Sequence, residues 1–189
     1  MKNMDKKEMI LKEAEKLFAE KGYYGLGLSE LLKRCDIPKG SFYYYFPDGK
    51  IQLIQEALEH SYRQMEYGIR HHIWTENTAL ASFERMADHL AGGVTEKRYF
   101  SSLLLTMISI ESVYLDEDVN RTCAAIYDRW QQMYADHLAG FGFSQEESTS
   151  VAQAVFALIH GSMISSWIKQ DPSDLMLAKK TLRSIIGDR

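Results

Sequence analysis

Between Leu28 and Phe46 the chain carries two short stretches of helical periodicity with only Asp36-Ile37-Pro38 between them. Leu28, Leu31 and Leu32 recur at helical spacing up to Cys35, and Phe42 and Phe46 stand at i, i+4 after Pro38. Asp36 falls where the chain must turn, and Asp tolerates left-handed angles better than most residues. Pro38 suits the first turn of the next helix, where its fixed φ and missing N–H cost nothing, and Pro47 ends that helix. Two helices this short need a third support. A helix beginning near Asp5 provides it: Ile10, Ala14, Leu17 and Phe18 share one face, Asp5 with Glu8 makes a capping signal, and Lys21-Gly22 stops it. The expected head is a three-helix helix-turn-helix.

The remainder reads the same way. With 3 Pro and 12 Gly in 189 residues there are few places for a sheet to turn, and a hydrophobic fraction of 46% can bury a real core. The fold class is all-α. Lys50 opens a long helix through Ile54, Leu58, Ser61 and Met65 to around His72, and further helices are expected at about 78–95, 99–114, 117–139, 144–170 and 174–186. Ser144 with Glu147 forms a capping box, Gly140 and Gly142 break the chain before it, and Gly187 follows the last helix.

A net charge of −4 argues weakly against a polyanion-binding protein, but its distribution matters more. Residues 1–50 hold 10 of the 22 Lys+Arg and 8 of the 26 Asp+Glu, a balance of +2, which leaves −6 for the rest. The N-terminus MKNMDKKEMILKEAEK is charged where a secretory signal would be apolar, and VAQAVFALIHGSMISSWI at 151–168 carries Gln, His and Ser, as a buried helix does. The expectation is a cytoplasmic protein with no membrane association. Cys35 and Cys123 propose no disulfide framework, and His71-His72 lack further ligands at metal spacing, so neither metal nor cofactor is expected. No nucleophile–base pair or phosphate loop points to an enzyme.

The stretch IPKGSFYYYFPDGK, residues 37–50, now has a reading. With Phe42 and Phe46 turned inward, Lys39, Ser41, Tyr44 and Tyr45 are left on other faces, and tyrosine packs its ring on sugar or thymine methyl while its hydroxyl reaches a phosphate oxygen. The competing reading is a surface helix whose aromatics cover a small core; Tyr43 packs partly inward under either. GYYGLGLSELLKRCDIPKGSFYYYFPDGKIQLI, residues 22–54, resembles the DNA-binding domain of TetR-family transcriptional regulators, in the LmrA/YxaF-like or NemR-like subgroup. ALIHGSMISSWIKQDPSDLMLAKKTL, residues 157–182, is similar to the last two helices of that subgroup.

The resemblance implies a DNA-binding domain at 1–49 and a ligand-binding and dimerisation domain at 50–189, joined through helix 4. It implies phosphate contacts from Tyr43, Tyr45 and Lys50, with Lys39, Gly40, Ser41 and Tyr44 nearest the base edges. Three departures stand out: Leu26 replaces a phosphate-binding Thr, Asp36 the usual turn Gly, and Tyr45 a common His. Some NemR-like members sense electrophiles through a cysteine just inside helix 6; here Ser102-Leu103 stand where Gly-Cys is expected, so that mechanism is not expected, and Cys123 reads as a buried inert thiol.

The last two helices are implied as the dimer interface, and the small-residue stripe Ala154, Leu158, Gly161 and Ser165, flanked by Val155, Ile159 and Ser162, allows close helix approach; intrachain packing is the alternative. Met86, Phe100, Leu104, Met107, Tyr127, Trp130 and Met133 are candidates for lining a small-molecule cavity, with plain core packing the competing reading, and His89 or His160 for its polar contacts. The expected function is a homodimeric repressor, released from a palindromic operator by a small apolar or aromatic effector. The runner-up is an all-α interaction protein that keeps the head for a protein partner.

Overall fold

The computed structural model describes residues 3–96 and 101–188. Among them are nine α-helices and no strand: α1 (Asn3–Gly25), α2 (Leu28–Cys35), α3 (Lys39–Tyr45), α4 (Lys50–Gly68), α5 (Ala79–Thr95), α6 (Ser101–Ser112), α7 (Glu117–Ala139), α8 (Gln145–Lys169) and α9 (Ser173–Ile186). The all-α expectation is met. The pocket candidate Phe100 lies outside the described residues.

Two compact units divide the chain: Met1–Met65 with Ser101–Ile126, and Glu66–Phe100 with Tyr127–Arg189. This division differs from a boundary at 49/50, because α1 packs against α6 as well as α2 and the first unit therefore takes in helices distant in sequence.

In the first unit Ile10, Ala14, Leu17 and Phe18 of α1 are fully buried, as are Leu31, Phe42, Phe46, Leu53 and Ile54. Leu28 and Leu32 are half-buried, so Leu31 and Cys35 carry the inward face of α2. α1 breaks where Lys21-Gly22 predicts: Gly22 takes φ 68° and ψ −179°. Asp36 adopts φ 49° and ψ 50°, and the Ile37 N–H closes the end of α2 on the Leu32 carbonyl at 3.1 Å. Leu26 is buried, with 3% of its surface exposed, so the residue at the family's threonine position fills core.

In the second unit α9 packs against both α5 and α8. The capping box forms at the start of α8: Glu147 N–H donates to Ser144 Oγ at 3.3 Å and Ser144 N–H to Glu147 Oε2 at 2.9 Å. α8 is long and apolar enough to cross a bilayer, but Val155, Phe156, Ile159 and Met163 bury one face of it.

The helix expected to run to His72 ends instead at Gly68 and widens into a π-helical turn, Ile69–Ile73. The Trp74 N–H reaches back to the Ile69 carbonyl at 2.8 Å. The wider turn lets the Trp74 ring stack on His137, with centroids 3.9 Å apart and planes at 12°. Periodicity along residues 50–72 does not register an aromatic partner so far along the chain.

Phe42 anchors α3 with no exposed surface, so Phe42→Ala is expected to destabilise the first unit by about 3–5 kcal/mol. Urea unfolding followed by circular dichroism measures it; a loss under about 1 kcal/mol would mean that α3 is held by something else.

Candidate nucleic-acid interface

α3 has only seven residues, and its orientation is set by two of them. Phe42 and Phe46 stack at 5.3 Å beneath it, and the Lys7 ammonium lies 5.3 Å from the Phe46 ring. Pro38 caps the start at φ −72° and ψ 154°, its carbonyl taking the Ser41 N–H at 2.9 Å. Lys39, Gly40 and Tyr44 consequently point outward, with Ser41 and Tyr45 half-buried.

The outward aromatics brace one another. Tyr44 is 72% exposed and meets Tyr45 edge to face at 5.1 Å. Tyr43, 42% exposed, sets its ring against Phe42 at 5.2 Å and takes the Lys39 ammonium at 5.8 Å from its centroid. Tyr43 is thus part support and part surface. At Gly40 a Cβ would meet nothing within 4 Å, so the protein's own packing makes no demand for glycine there. Glycine inside a helix nonetheless costs about 0.5–1 kcal/mol relative to alanine.

Lys50 is placed differently from its neighbours. Its side chain turns back to α1, donating to the Tyr23 carbonyl, and the ammonium sits 4.2 Å from the Tyr23 ring centroid. Burial pushes its pKa down, opposed by the Glu111 carboxylate. Glu111 in turn accepts the Tyr23 N–H at 2.9 Å. Neither Tyr23 nor Glu111 has a part in this interface by sequence alone, and no local signal connects positions 88 residues apart.

Other basic groups of the head are partly neutralised within it. Arg34 bonds Glu20 at 2.9 Å and Glu30 at 3.1 Å, and Lys21 bonds Glu30 at 2.6 Å. The outward charge of α3 comes from Lys39, the one charged residue in that helix.

The pocket candidates separate between the units. In the first, Leu104 is buried and Met107 is 39% exposed on α6. In the second, Met86, Trp130 and Met133 are buried, while His89 lies on the outer face of α5. Tyr134 Oη donates to Met86 Sδ at 3.0 Å, and the Tyr127 and Trp130 rings meet at 5.9 Å. Trp130 and Phe156 both pack on His160, at 4.2 and 3.9 Å. Burial drives His160 down to about 3, and burial with Arg70 nearby drives His137 down to about 4.

On α8, Ala154 and Gly161 are exposed, Leu158, Ser162 and Ser165 are half-buried, and Ser165 bonds Asp174 of α9. Ile168 is 75% and Leu177 64% exposed on the same two helices.

Two family models match. Residues 10–57 fit "Bacterial regulatory proteins, tetR family", and residues 79–181, more than half the chain, fit "Transcriptional regulator LmrA/YxaF-like, C-terminal domain". The chain belongs to the TetR family of transcriptional regulators. It is 24% identical to the HTH-type transcriptional regulator YxaF of Bacillus subtilis, over 96% of this chain and 95% of that one. It is 27% identical to LmrA of the same organism, over 91% and 92%. The crystal structure of reduced NemR from Escherichia coli superposes with a TM-score of 0.79 at 24% identity, covering 95% of this chain and 96% of that chain, a likeness of fold. The TetR-type assignment accounts for the helix-turn-helix and places the chain among DNA-binding regulators, not enzymes. Leu103, where the resemblance leads one to expect a cysteine in some NemR-like members, is buried core, and Cys123 is buried at 3% exposure.

The two histidines set a pH dependence. Their folded-state pKa values lie below the unfolded value near 6.5, so their neutral forms favour the native state; that contribution is complete above about pH 6.5 and falls as pH drops toward about 4 and 3. Each should steepen the loss of stability by at most about 1.4 kcal/mol per pH unit. His160→Phe should flatten the profile between pH 6 and 4 in thermal melts; an unchanged slope would show that His160 protonates without unfolding.

Proposed function

We propose that this regulator is a homodimeric repressor that binds a palindromic operator through α3 and is released by a small apolar or aromatic molecule held in its C-terminal domain. Residues 1–49 form the reading head and 50–189 the effector and dimer domain, in a cytoplasmic protein. The observation that carries the reading is the outward face of α3. Lys39 and Tyr44 project from a helix locked by two buried phenylalanines, and Gly40 between them has no reason within the fold to lack a side chain. Close approach of the backbone to DNA supplies that reason.

Within this reading Lys39, Gly40, Ser41 and Tyr44 lie nearest the base edges, and Tyr43, Tyr45 and Lys50 contact phosphates. Lys39→Ala or Tyr44→Ala should each cost about 1–3 kcal/mol on the operator and much less on scrambled DNA, because a base contact matters only where the right base is present. Lys50→Ala should weaken both duplexes by similar factors and lower the salt slope by about 1. Salt-series titrations on an operator selected from random duplexes read both effects; the reverse pattern would undo the assignment of roles.

The dimer rests on the stripe of α8, where Ala154 and Gly161 are exposed, and on the apolar Ile168 and Leu177 exposed on α8 and α9. In the single chain a Cβ at Gly161 meets nothing within 4 Å. Gly161→Arg should therefore leave the protomer folded yet drive sedimentation toward monomer. A variant that stays dimeric would move the interface elsewhere.

Support for the effector is the residue types of the buried aromatic and methionine set around Trp130, Phe156 and Met86, which are those that line apolar ligand sites.

A further inference from the structure

The end of α1 holds an anion that is not DNA. Gly22 breaks the helix at φ 68°, which frees the Tyr23 N–H from helical pairing, and Glu111 of α6 accepts it at 2.9 Å. The carboxylate comes so close that a Cβ at residue 22 would stand 2.6 Å from Oε1, so glycine is required there both for its positive φ and for room. The next peptide carbonyl, that of Tyr23, takes the Lys50 ammonium, and the Tyr23 ring faces the same cation at 4.2 Å. One residue therefore presents an N–H to Glu111 and a carbonyl and ring to Lys50. Asp116, the other carboxylate that bears on Tyr23, is already committed to the start of α7, accepting from the Asp118 and Val119 N–H groups at 2.9 and 3.2 Å.

We propose that Glu111 acts as an internal substitute for a DNA phosphate, competing with the operator backbone for Lys50 and the end of α1, so that the position of α6 sets how strongly that lysine engages DNA. The inference rests on the DNA-binding role proposed for Lys50. A backbone N–H turned out of its helix beside a lysine ammonium is chemically what a phosphate oxygen seeks, and here a carboxylate occupies the N–H. Leu104, Met107 and Glu111 recur at i, i+3, i+7 on α6, so two candidate pocket residues and the competing carboxylate share one face of one helix. A molecule that moves Leu104 or Met107 moves Glu111 with them. Drawing Glu111 toward Tyr23 holds Lys50 inward and weakens DNA binding; withdrawing it releases the lysine.

The test is a double-mutant cycle between Glu111→Gln and Lys50→Ala on the selected operator and on scrambled duplex, across a salt series. Gln removes the charge but keeps an oxygen for the Tyr23 N–H. Glu111→Gln should tighten both duplexes alike, by roughly three- to tenfold, and steepen the salt slope, as one phosphate contact regained does. In the Lys50→Ala background the gain should shrink to within about twofold, since the competed-for group is gone. Unchanged or weakened binding by Glu111→Gln, or an equal gain without Lys50, would overturn the proposal. Wild-type protein that binds no duplex at all would instead undo the proposed function. Should the variants lose their helical circular dichroism, carbon-13 NMR of the Glu111 carboxylate in wild-type protein decides. Its signal is expected to shift when operator is added, and a fixed signal refutes the competition.

Discussion

Phe42 and Phe46 have no surface exposed to water, and that burial fixes the rotation of α3 about its axis. A helix of seven residues has too few internal hydrogen bonds to persist alone, so α3 owes its existence to the burial of these two rings. Were either ring to leave, the outward residues would lose both their direction and their helix. The face that carries Lys39, Gly40 and Tyr44 is therefore a consequence of hydrophobic packing on the opposite side.

What the sequence made legible is what local chemistry decides. The limits of α2, the left-handed Asp36, the break at Gly22 and the capping box at Ser144 all depend on residues within one or two turns. The inward pair on α3 was also readable, because i, i+4 spacing on a short helix leaves little choice of face. The π-helical turn at Ile69–Ile73 was not, since it goes with the stacking of Trp74 on His137, a partner far along the chain. Nor was the inward turn of Lys50, whose partners are the Tyr23 carbonyl and, beyond it, a carboxylate on α6. The pocket candidates were chosen by residue type alone, and so they mix buried Leu104 and Trp130 with His89 on an outer face and Met107 in partial exposure.

The charge pattern reconciles a net −4 with a nucleic-acid partner. At physiological salt a charge is felt over about 8 Å, so the local arrangement outweighs the total. Inside the head Arg34 and Lys21 are drawn to Glu20 and Glu30, exposed pairs that contribute little to stability but restrain cations that would otherwise attract phosphate indiscriminately. In the proposed interface that leaves a few groups, Lys39 among them, and a small footprint gives each contact more weight in deciding where the protein binds.

A regulator needs an element with two discrete arrangements that both of its sites can bias. Side-chain packing alone yields gradually, whereas the hydrogen bond between Glu111 and the part-buried Tyr23 N–H is either made or broken, and once broken it leaves that N–H to another acceptor. A phosphate oxygen can serve, through a charge-assisted bond stronger than a neutral one. The break at Gly22 is what makes this exchange available, because an uninterrupted helix would have paired that N–H internally. In the proposed competition the glycine at positive φ, the carboxylate on α6 and the lysine that opens α4 form one device, in which the same N–H and the same ammonium would answer either to the protein or to DNA.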